Sequence, residues 1–165
     1  MQYIGWIIDE WKLKKHLVKE ITYKDCYDLR LKVLKRKEWD YEYQYSGDDE
    51  PTTFHLGVFI DERLATIASF FANTNKQVNA RNPIQLRGMA TLSDYQGRGL
   101  GRLMIQAAIH ESKKRNHDIL WCNAREEAVK FYEKLGFNIS GEKFDIPRVG
   151  PHYVMWRSIS DATKA

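Results

Sequence analysis

The 165-residue sequence contains few cysteines and prolines and lacks a long hydrophobic run. Its two cysteines, Cys26 and Cys122, are too far apart in the sequence for a zinc-ligand motif and too few for a disulfide scaffold. No apolar segment is long enough for a transmembrane helix, and the N-terminus lacks the basic residues that precede a signal-peptide core. We therefore expect a cytoplasmic protein without a metal site or a membrane partner.

The composition is that of a globular protein, with 43% hydrophobic and 13% aromatic residues. This length suits a single domain with a real core. The formal net charge of +4 is modest, and a solvated surface explains it more simply than nucleic-acid binding does. We expect no nucleic-acid partner.

Residues 1–17 are interpreted as an N-terminal extension, and residues 18–165 as one domain. Ile4, Ile7, Ile8 and Trp11 have helical spacing, which predicts a helix that covers the core or forms a dimer contact. A homodimer is therefore possible.

The pattern beyond residue 17 predicts the order β-α-β-β-β-α-β-α-β-β, an α+β fold with a mixed sheet. Thr22 and Asp25 predict the start of the first helix, and Gly136 predicts the end of the last. The predicted strands are Val18–Ile21, Phe54–Ile60, Leu64–Phe71, Ile84–Leu92, Ile119–Asn123, Phe137–Glu142 and His152–Ile159.

Three glycines, Gly97, Gly99 and Gly101, lie within five positions between a predicted strand and a predicted helix. The first amides of a helix lack intrahelical partners, and glycines let an anion approach the backbone closely. Arg98 and Arg102 add positive charge. The segment predicts a phosphate site, but no Lys-Ser/Thr follows Gly101, and Arg102 replaces the third glycine of a dinucleotide fingerprint.

The pattern Gln96-x-x-Gly99-x-Gly101 resembles the coenzyme A diphosphate loop of the GNAT superfamily of N-acetyltransferases. The segment Phe131–Phe137 looks like the other recurrent motif of that superfamily. The resemblance extends from about Lys19 to Ile159. It implies acetyl-CoA as acyl donor, and a mostly antiparallel sheet whose fourth and fifth predicted strands separate.

The resemblance assigns the cofactor-binding residues. The diphosphate would be held by the loop Gln96, Gly97, Arg98, Gly99, Leu100, Gly101 and Arg102. Backbone groups of Met89, Ala90 and Thr91 would bind the pantetheine arm and polarise the thioester carbonyl. Asn123 is a further candidate, although the position of asparagine in many relatives is Arg125 here, so either residue can take that role.

Tyr132 matches the tyrosine that protonates the departing thiolate in many family members. The spacing of Ala128, Phe131, Tyr132 and Leu135 also fits an ordinary core stripe. For the general base we select His152, because a neutral imidazole can remove a proton near neutral pH. His55, Glu142 or a water relay are the alternatives.

The predicted reaction is the transfer of an acetyl group from acetyl-CoA to a primary amine by direct attack in a ternary complex. No Cys or Ser has the context of an acyl-enzyme nucleophile. One alternative is a non-catalytic acyl-CoA-binding module, and another is an enzyme for protein or RNA-linked amines. The aromatic loop with Trp39, Tyr41, Tyr43 and Tyr45 either contacts the acceptor or forms a half-buried lid.

Overall fold

The computed structural model describes residues 3–4, 16–34 and 42–160. Its α-helices are α1 (Tyr23–Leu29), α2 (Leu100–Lys114) and α3 (Val129–Lys134). Its strands are β1 (Tyr3–Ile4), β2 (His16–Ile21), β3 (Phe54–Ile60), β4 (Arg63–Phe71), β5 (Pro83–Thr91), β6 (Ile119–Arg125), β7 (Asn138–Ile146) and β8 (Gly150–Ser158). The predicted α+β class is confirmed, and β1 is an additional two-residue strand.

The chain divides into two compact units. The first comprises Met1–Phe71 and Gly88–Ala108, and the second comprises Ala72–Arg87 and Ile109–Ala165. The boundary passes through β5 and α2, so each of these elements contributes residues to both units. We describe each unit separately.

In the first unit the strand order is β1-β2-β3-β4-β5. The registered pairs β1–β2, β2–β3 and β3–β4 are antiparallel. Thr22 and Asp25 form the predicted capping box at the start of α1, because each side chain bonds to the backbone N–H of the other residue. A π-helical turn, Arg30–Leu34, follows α1 and brings Arg30 into the core.

In the second unit the order is β5-β6-β8-β7. The pair β5–β6 is parallel, whereas β6–β8 and β7–β8 are antiparallel. Gly136, with φ +83°, follows the C-cap of α3 and ends the helix, as predicted. In β7, residues 141–143 form a bulge, because Ser140 pairs with Val154 and Phe144 already pairs with His152.

The parallel ladder between β5 and β6 is short. Its register begins at Pro83–Ile119 and, among the described residues, ends at Leu86–Cys122. Both strands continue beyond that pair, β5 to Thr91 and β6 to Arg125. The predicted separation of these two strands is therefore observed as an early end of their pairing.

The structure corrects some of the predicted boundaries. The helix predicted over residues 1–17 is wrong at Tyr3–Ile4, which pair with β2, and at His16–Leu17, which belong to β2. The helical spacing of the apolar residues was misleading there, because Tyr3–Ile4 pair with the edge of β2 instead. Residues 5–15 lie outside the described ranges. Strand β6 continues through Asn123 to Arg125, two residues further than predicted. No helix within the described ranges is long and apolar enough to cross a membrane.

Candidate active site

The glycine loop, residues 96–102, leads from the 3-10 turn Ser93–Tyr95 into α2. Gly97 and Gly99 have φ values of +73° and +80°, which glycine adopts without strain. A Cβ atom built at either position would meet nothing within 4 Å. Open space therefore lies beside the backbone of both glycines.

The amides of residues 97–102 in the glycine loop remain available to a ligand. The N–H of Leu103 donates to the carbonyl of Gly99 at 3.1 Å, at the first turn of α2. Within the described part of the chain, the N–H groups of residues 97–102 donate to no backbone acceptor. Unpaired amides at the N-terminus of a 15-residue helix attract an anion, so this cradle fits a diphosphate.

Two guanidinium groups add positive charge near the loop. Cζ of Arg98 lies 5.4 Å from the ring centroid of Tyr95, and Cζ of Arg63 lies 5.5 Å from the same ring. Arg63 was not among the predicted site residues. Arg102 is exposed, whereas Leu100 is buried, so only the backbone of Leu100 can serve a ligand.

The last residues of β5 use their side chains locally. Ala90 is buried in the core, and Oγ1 of Thr91 hydrogen-bonds to Oγ1 of Thr66 at 2.9 Å. Nε2 of Gln96 donates to the carbonyl of Thr91 at 3.0 Å, so this predicted cofactor residue already has a structural partner. Any ligand role of Ala90 and Thr91 thus falls to the backbone.

Tyr45, from the predicted aromatic loop, packs on the start of this segment. A Cβ atom at Gly88 would lie 2.8 Å from Cε2 of Tyr45, and Gly88 has φ +60°. The Tyr45 ring also contacts the guanidinium of Arg30, with Cζ 3.8 Å from the ring centroid. Glycine is required at position 88 both for its backbone conformation and for this close approach.

A buried charge network, made of Arg30, Asp48, His55 and Ser69, holds residues 43–48 of the aromatic loop; Trp39 and Tyr41 lie outside the described residues. Arg30 is fully buried and donates two bonds to the Asp48 carboxylate, at 2.6 and 2.9 Å. It also donates to the carbonyl of Tyr43 at 2.7 Å and to Oγ of Ser69 at 2.8 Å. Burial opposes ionisation of Asp48, but the bonds from Arg30 outweigh it and lower the pKa of this carboxyl.

His55 is the neutral member of the network. Its Nε2 donates to the carbonyl of Asp48 at 2.9 Å, which leaves Nδ1 to accept from Oγ of Ser69 at 2.7 Å. Burial lowers the pKa of His55. Since both ring nitrogens are already bonded, His55 is a structural residue, and the alternative that made it a general base loses support.

Tyr132, on α3 in the second unit, is buried between Phe131 and Phe137, with both ring centroids 5.1 Å from its own. Its hydroxyl hydrogen-bonds to the thiol of Cys122. Cys122 is also the last β6 residue that pairs with β5. The tyrosine hydroxyl therefore lies next to the point where this ladder ends.

Both groups of this pair are protonated at neutral pH. Burial raises the pKa of Cys122 to about 12, although the bond with Tyr132 acts in the opposite direction. Burial, followed by the neighbouring thiol, raises the pKa of Tyr132 well above its ordinary value. The tyrosine therefore keeps its proton until an acceptor more basic than water approaches it.

His152 lies inside β8 and is buried. Its Nδ1 is 2.7 Å from the carbonyl of Gly150 and must donate, because a carbonyl only accepts. The other nitrogen, Nε2, is then an acceptor in the neutral ring, and it bonds to no residue that the structure describes. The ring packs on Phe144 at 6.1 Å between centroids.

The structure does not bring all the predicted site residues of the second unit together. Asn123 pairs with Val154, and Arg125 pairs with His152, so these side chains share one face of the sheet. Cys122, one position from Asn123, points to the other face, where Tyr132 contacts it. Asn123 and His152 thus lie on the face opposite to Tyr132.

An open groove of about 780 Å³ occupies the face with Asn123. Its walls are the turn at Asn75–Gln77 and the β7 bulge, and its floor includes Asn123, Phe144 and Val154. Asn123 is exposed although its strand neighbours Cys122 and Ala124 are buried. The predicted cofactor residue Asn123 therefore faces a groove that the sequence did not reveal.

Comparisons with known proteins agree with this geometry. The sequence profile of the Acetyltransferase (GNAT) family matches residues 17–137. The chain belongs to the GNAT acetyltransferase family. It is 37% identical over 142 residues to the uncharacterized N-acetyltransferase YitI of Bacillus subtilis, covering 86% of this chain and 95% of that protein.

Solved structures show the same fold. The ribosomal-protein-S18-alanine N-acetyltransferase from Escherichia coli aligns with a TM-score of 0.68 and 20% identity, covering 90% of this chain and 97% of that chain. FeeM, an N-acyl amino acid synthase from uncultured soil microbes, aligns with a TM-score of 0.75 and 11% identity, covering 90% and 93% of the two chains. This GNAT protein is thus an N-acetyltransferase with an acyl-CoA donor and an acceptor substrate.

Sequence reasoning missed several residues of this acetyltransferase. Arg30 and Asp48 are 18 positions apart, and nothing local indicates that they pair. The β7 bulge was missed because its one sequence signal is Gly141, whose φ is +76° in the structure. Among the described residues, no group of three or more His, Cys, Asp or Glu side chains could hold a metal ion.

Proposed function

We propose that this acetyltransferase uses acetyl-CoA to acetylate a primary amine by direct attack in a ternary complex. The observation that carries the proposal is the glycine loop, whose free amides, positive-φ glycines and adjacent helix N-terminus form a cradle for a diphosphate. Acetyl-CoA supplies the activated acetyl group. The backbone of Met89, Ala90 and Thr91, beyond the end of the β5–β6 ladder, is proposed to orient the thioester.

Tyr132 is proposed as the general acid. In the reaction the amine nitrogen bonds to the acetyl carbon, the carbon–sulfur bond breaks, and the thiolate needs a proton. The hydroxyl of Tyr132 is protonated at neutral pH, and burial, which raises its pKa, keeps it so until the thiolate forms and takes the proton as the carbon–sulfur bond breaks. Its place beside Cys122, at the end of the β5–β6 ladder, supports this role.

His152 is proposed as the general base, acting from the face of the sheet opposite to Tyr132. With Nδ1 donating to Gly150, its Nε2 carries the lone pair that removes a proton from the attacking amine. The bond to the backbone fixes the ring and selects this tautomer. A water relay is the competing route, and the pH profile of His152→Gln distinguishes the two.

Neither cysteine supports an acyl-enzyme route. Burial raises the pKa of Cys26 to about 11 and that of Cys122 to about 12, so both thiols are protonated at neutral pH. A thiolate, not a thiol, is the nucleophile. Direct attack by the amine is the mechanism that remains.

Calorimetry with acetyl-CoA on wild type, Gly99→Ala and Gly136→Ala tests the cradle. The two glycines have φ values of +80° and +83°, so an alanine costs about 1–2 kcal/mol of strain at each. Only Gly99→Ala also places a methyl group in the open space of the glycine loop. We expect about tenfold weaker acetyl-CoA binding for Gly99→Ala, and wild-type affinity for Gly136→Ala.

Two results contradict the proposal. Absence of heat with the wild-type protein removes the proposed acetyl-CoA site at the glycine loop. Tight acetyl-CoA binding without thiol release in the presence of amines, amino acids, polyamines, aminoglycosides or peptides identifies a non-catalytic acyl-CoA-binding module instead.

A further inference from the structure

The groove of the second unit has polar walls with charges of both signs. Its turn carries Lys76, its β7 bulge carries Glu142, and its floor carries the carboxamide of Asn123. All three side chains are exposed and form no hydrogen bond or ion pair with any residue that the structure describes. A free cation, a free anion and a free carboxamide therefore line the same cavity.

The groove also adjoins the proposed base. Asn123 pairs with Val154 across β6 and β8, and Arg125 pairs with His152 two residues further along β6. Phe144 lines the groove and packs on the His152 ring at 6.1 Å. His152 as a residue is buried, but its Nε2 bonds to no described residue, so a group entering from this face can become its partner.

We propose that this groove binds the acceptor, and that the acceptor is a zwitterionic amide, namely a short peptide with both ends free. The inference rests on the proposed function, because it assigns the amine substrate of the same reaction. Lys76 complements a carboxylate, Glu142 complements the arriving ammonium group, and Asn123 both donates to and accepts from a peptide group. Asn123 is accordingly an acceptor-binding residue and not a coenzyme ligand.

The charges argue against a polycationic acceptor. Besides Lys76, the groove is lined by Lys143, which pairs with Glu126 at 3.3 Å. A polyamine or an aminoglycoside would meet two ammonium groups and a single unpaired carboxylate, Glu142. Like charges near one ligand oppose its binding, whereas a peptide matches both signs.

The activity test uses a series of tripeptides that differ in their first residue. Each tripeptide is compared with its own C-terminal amide, and the series is compared with spermidine. We expect acetylation of at least one tripeptide at a higher kcat/KM than spermidine. Lys76→Ala should raise the KM for that tripeptide about fivefold, and this effect should vanish with its C-terminal amide, which has no carboxylate. Asn123→Ala should raise the tripeptide KM about fivefold and leave the acetyl-CoA affinity in calorimetry unchanged.

Matched controls use exposed residues of the same unit that lie outside the groove. Lys113→Ala is the control for Lys76→Ala. Glu127→Gln is the control for Glu142→Gln, which should raise the tripeptide KM because it removes the carboxylate that complements the ammonium group. Neither control should change the KM for the tripeptide. If the groove variants behave like these controls, or if spermidine is preferred, the proposal is overturned.

A binding experiment separates this inference from the proposed function. The side-chain amide resonances of Asn75 and Asn123 are followed by NMR during titration with the tripeptides. Shifts that saturate support the groove even if acetyl-CoA gives no heat. Unchanged resonances with every tripeptide overturn the groove even if acetyl-CoA binds and another amine is acetylated.

Discussion

The buried charge network of the first unit and the Tyr132–Cys122 pair of the second both place polar groups in the core, but in opposite charge states. Arg30 and Asp48 are ionised and hold each other through two short bonds. Tyr132 and Cys122 are neutral, and burial raises the pKa of both. The difference follows from their partners, because a buried charge needs a counter-charge whereas a buried hydroxyl needs only one hydrogen bond.

Each state suits its proposed task. The ion pair fixes the loop at Tyr43–Asp48, because Arg30 binds the carbonyl of Tyr43 and Asp48 accepts from the N–H of Tyr45 at 2.9 Å. A proton held in such a pair is not available for chemistry. The neutral pair instead keeps a proton on Tyr132 that can be donated when a strong base arrives.

The largest expected effect comes from breaking the ion pair. Asp48→Ala leaves Arg30 buried without a counter-charge and should destabilise the fold by about 3–5 kcal/mol. Denaturant unfolding followed by tryptophan fluorescence measures this loss. Asp28→Ala, which removes the exposed partner of Lys32, is the control and should cost about 0.5 kcal/mol or less. Equal losses of unfolding free energy in Asp48→Ala and Asp28→Ala would contradict the special role of the buried ion pair.

The next effect concerns rate and not stability. Tyr132→Phe should lower kcat about hundredfold, since the thiolate then leaves without its acid, while acetyl-CoA affinity stays near wild type. Cys122→Ala removes the hydrogen-bond partner but keeps the hydroxyl, so its kcat should remain much closer to wild type. Steady-state thiol release and calorimetry measure the two quantities. If both substitutions slow the reaction equally, Tyr132 acts only through packing.

The smallest effect is a pH dependence of stability from His55. Because the pKa of His55 is lowered in the folded state by burial, the unfolded chain binds more protons below about pH 6.5. The free energy of unfolding should therefore fall as the pH is lowered from 7 toward 5. His55→Gln should flatten this slope. His117 also has a lowered pKa, so His117→Gln serves as the control that measures its separate contribution to the slope. A slope that His55→Gln leaves unchanged would contradict the assignment to His55.

Features that depend on neighbouring residues were predictable from the sequence. The Thr22–Asp25 cap, the end of the α3 segment at Gly136 and the position of the glycine loop all follow from backbone conformations and contacts within a few residues. The family motifs indicated the fold for the same reason, since they are short contiguous segments. The predicted roles of Tyr132, His152 and Asn123 remain proposals.

Which face of the sheet each residue occupies was decided by the tertiary structure. Asn123 and Tyr132 were predicted for one site, yet β6 alternation and the packing of α3 on Cys122 place them on opposite faces. The β7 bulge, which forms one wall of the groove, required the register of β8.

The sequence by itself determined the α+β class, the order of elements beyond residue 17 and the place of the glycine loop, because each depends on local periodicity or on glycine's access to positive φ. Only the tertiary structure decided that Arg30, Asp48 and Ser69 meet, since their separations of 18 and 39 residues leave no trace in a local pattern. The same holds for the end of the β5–β6 ladder at Cys122 and for the groove beyond it.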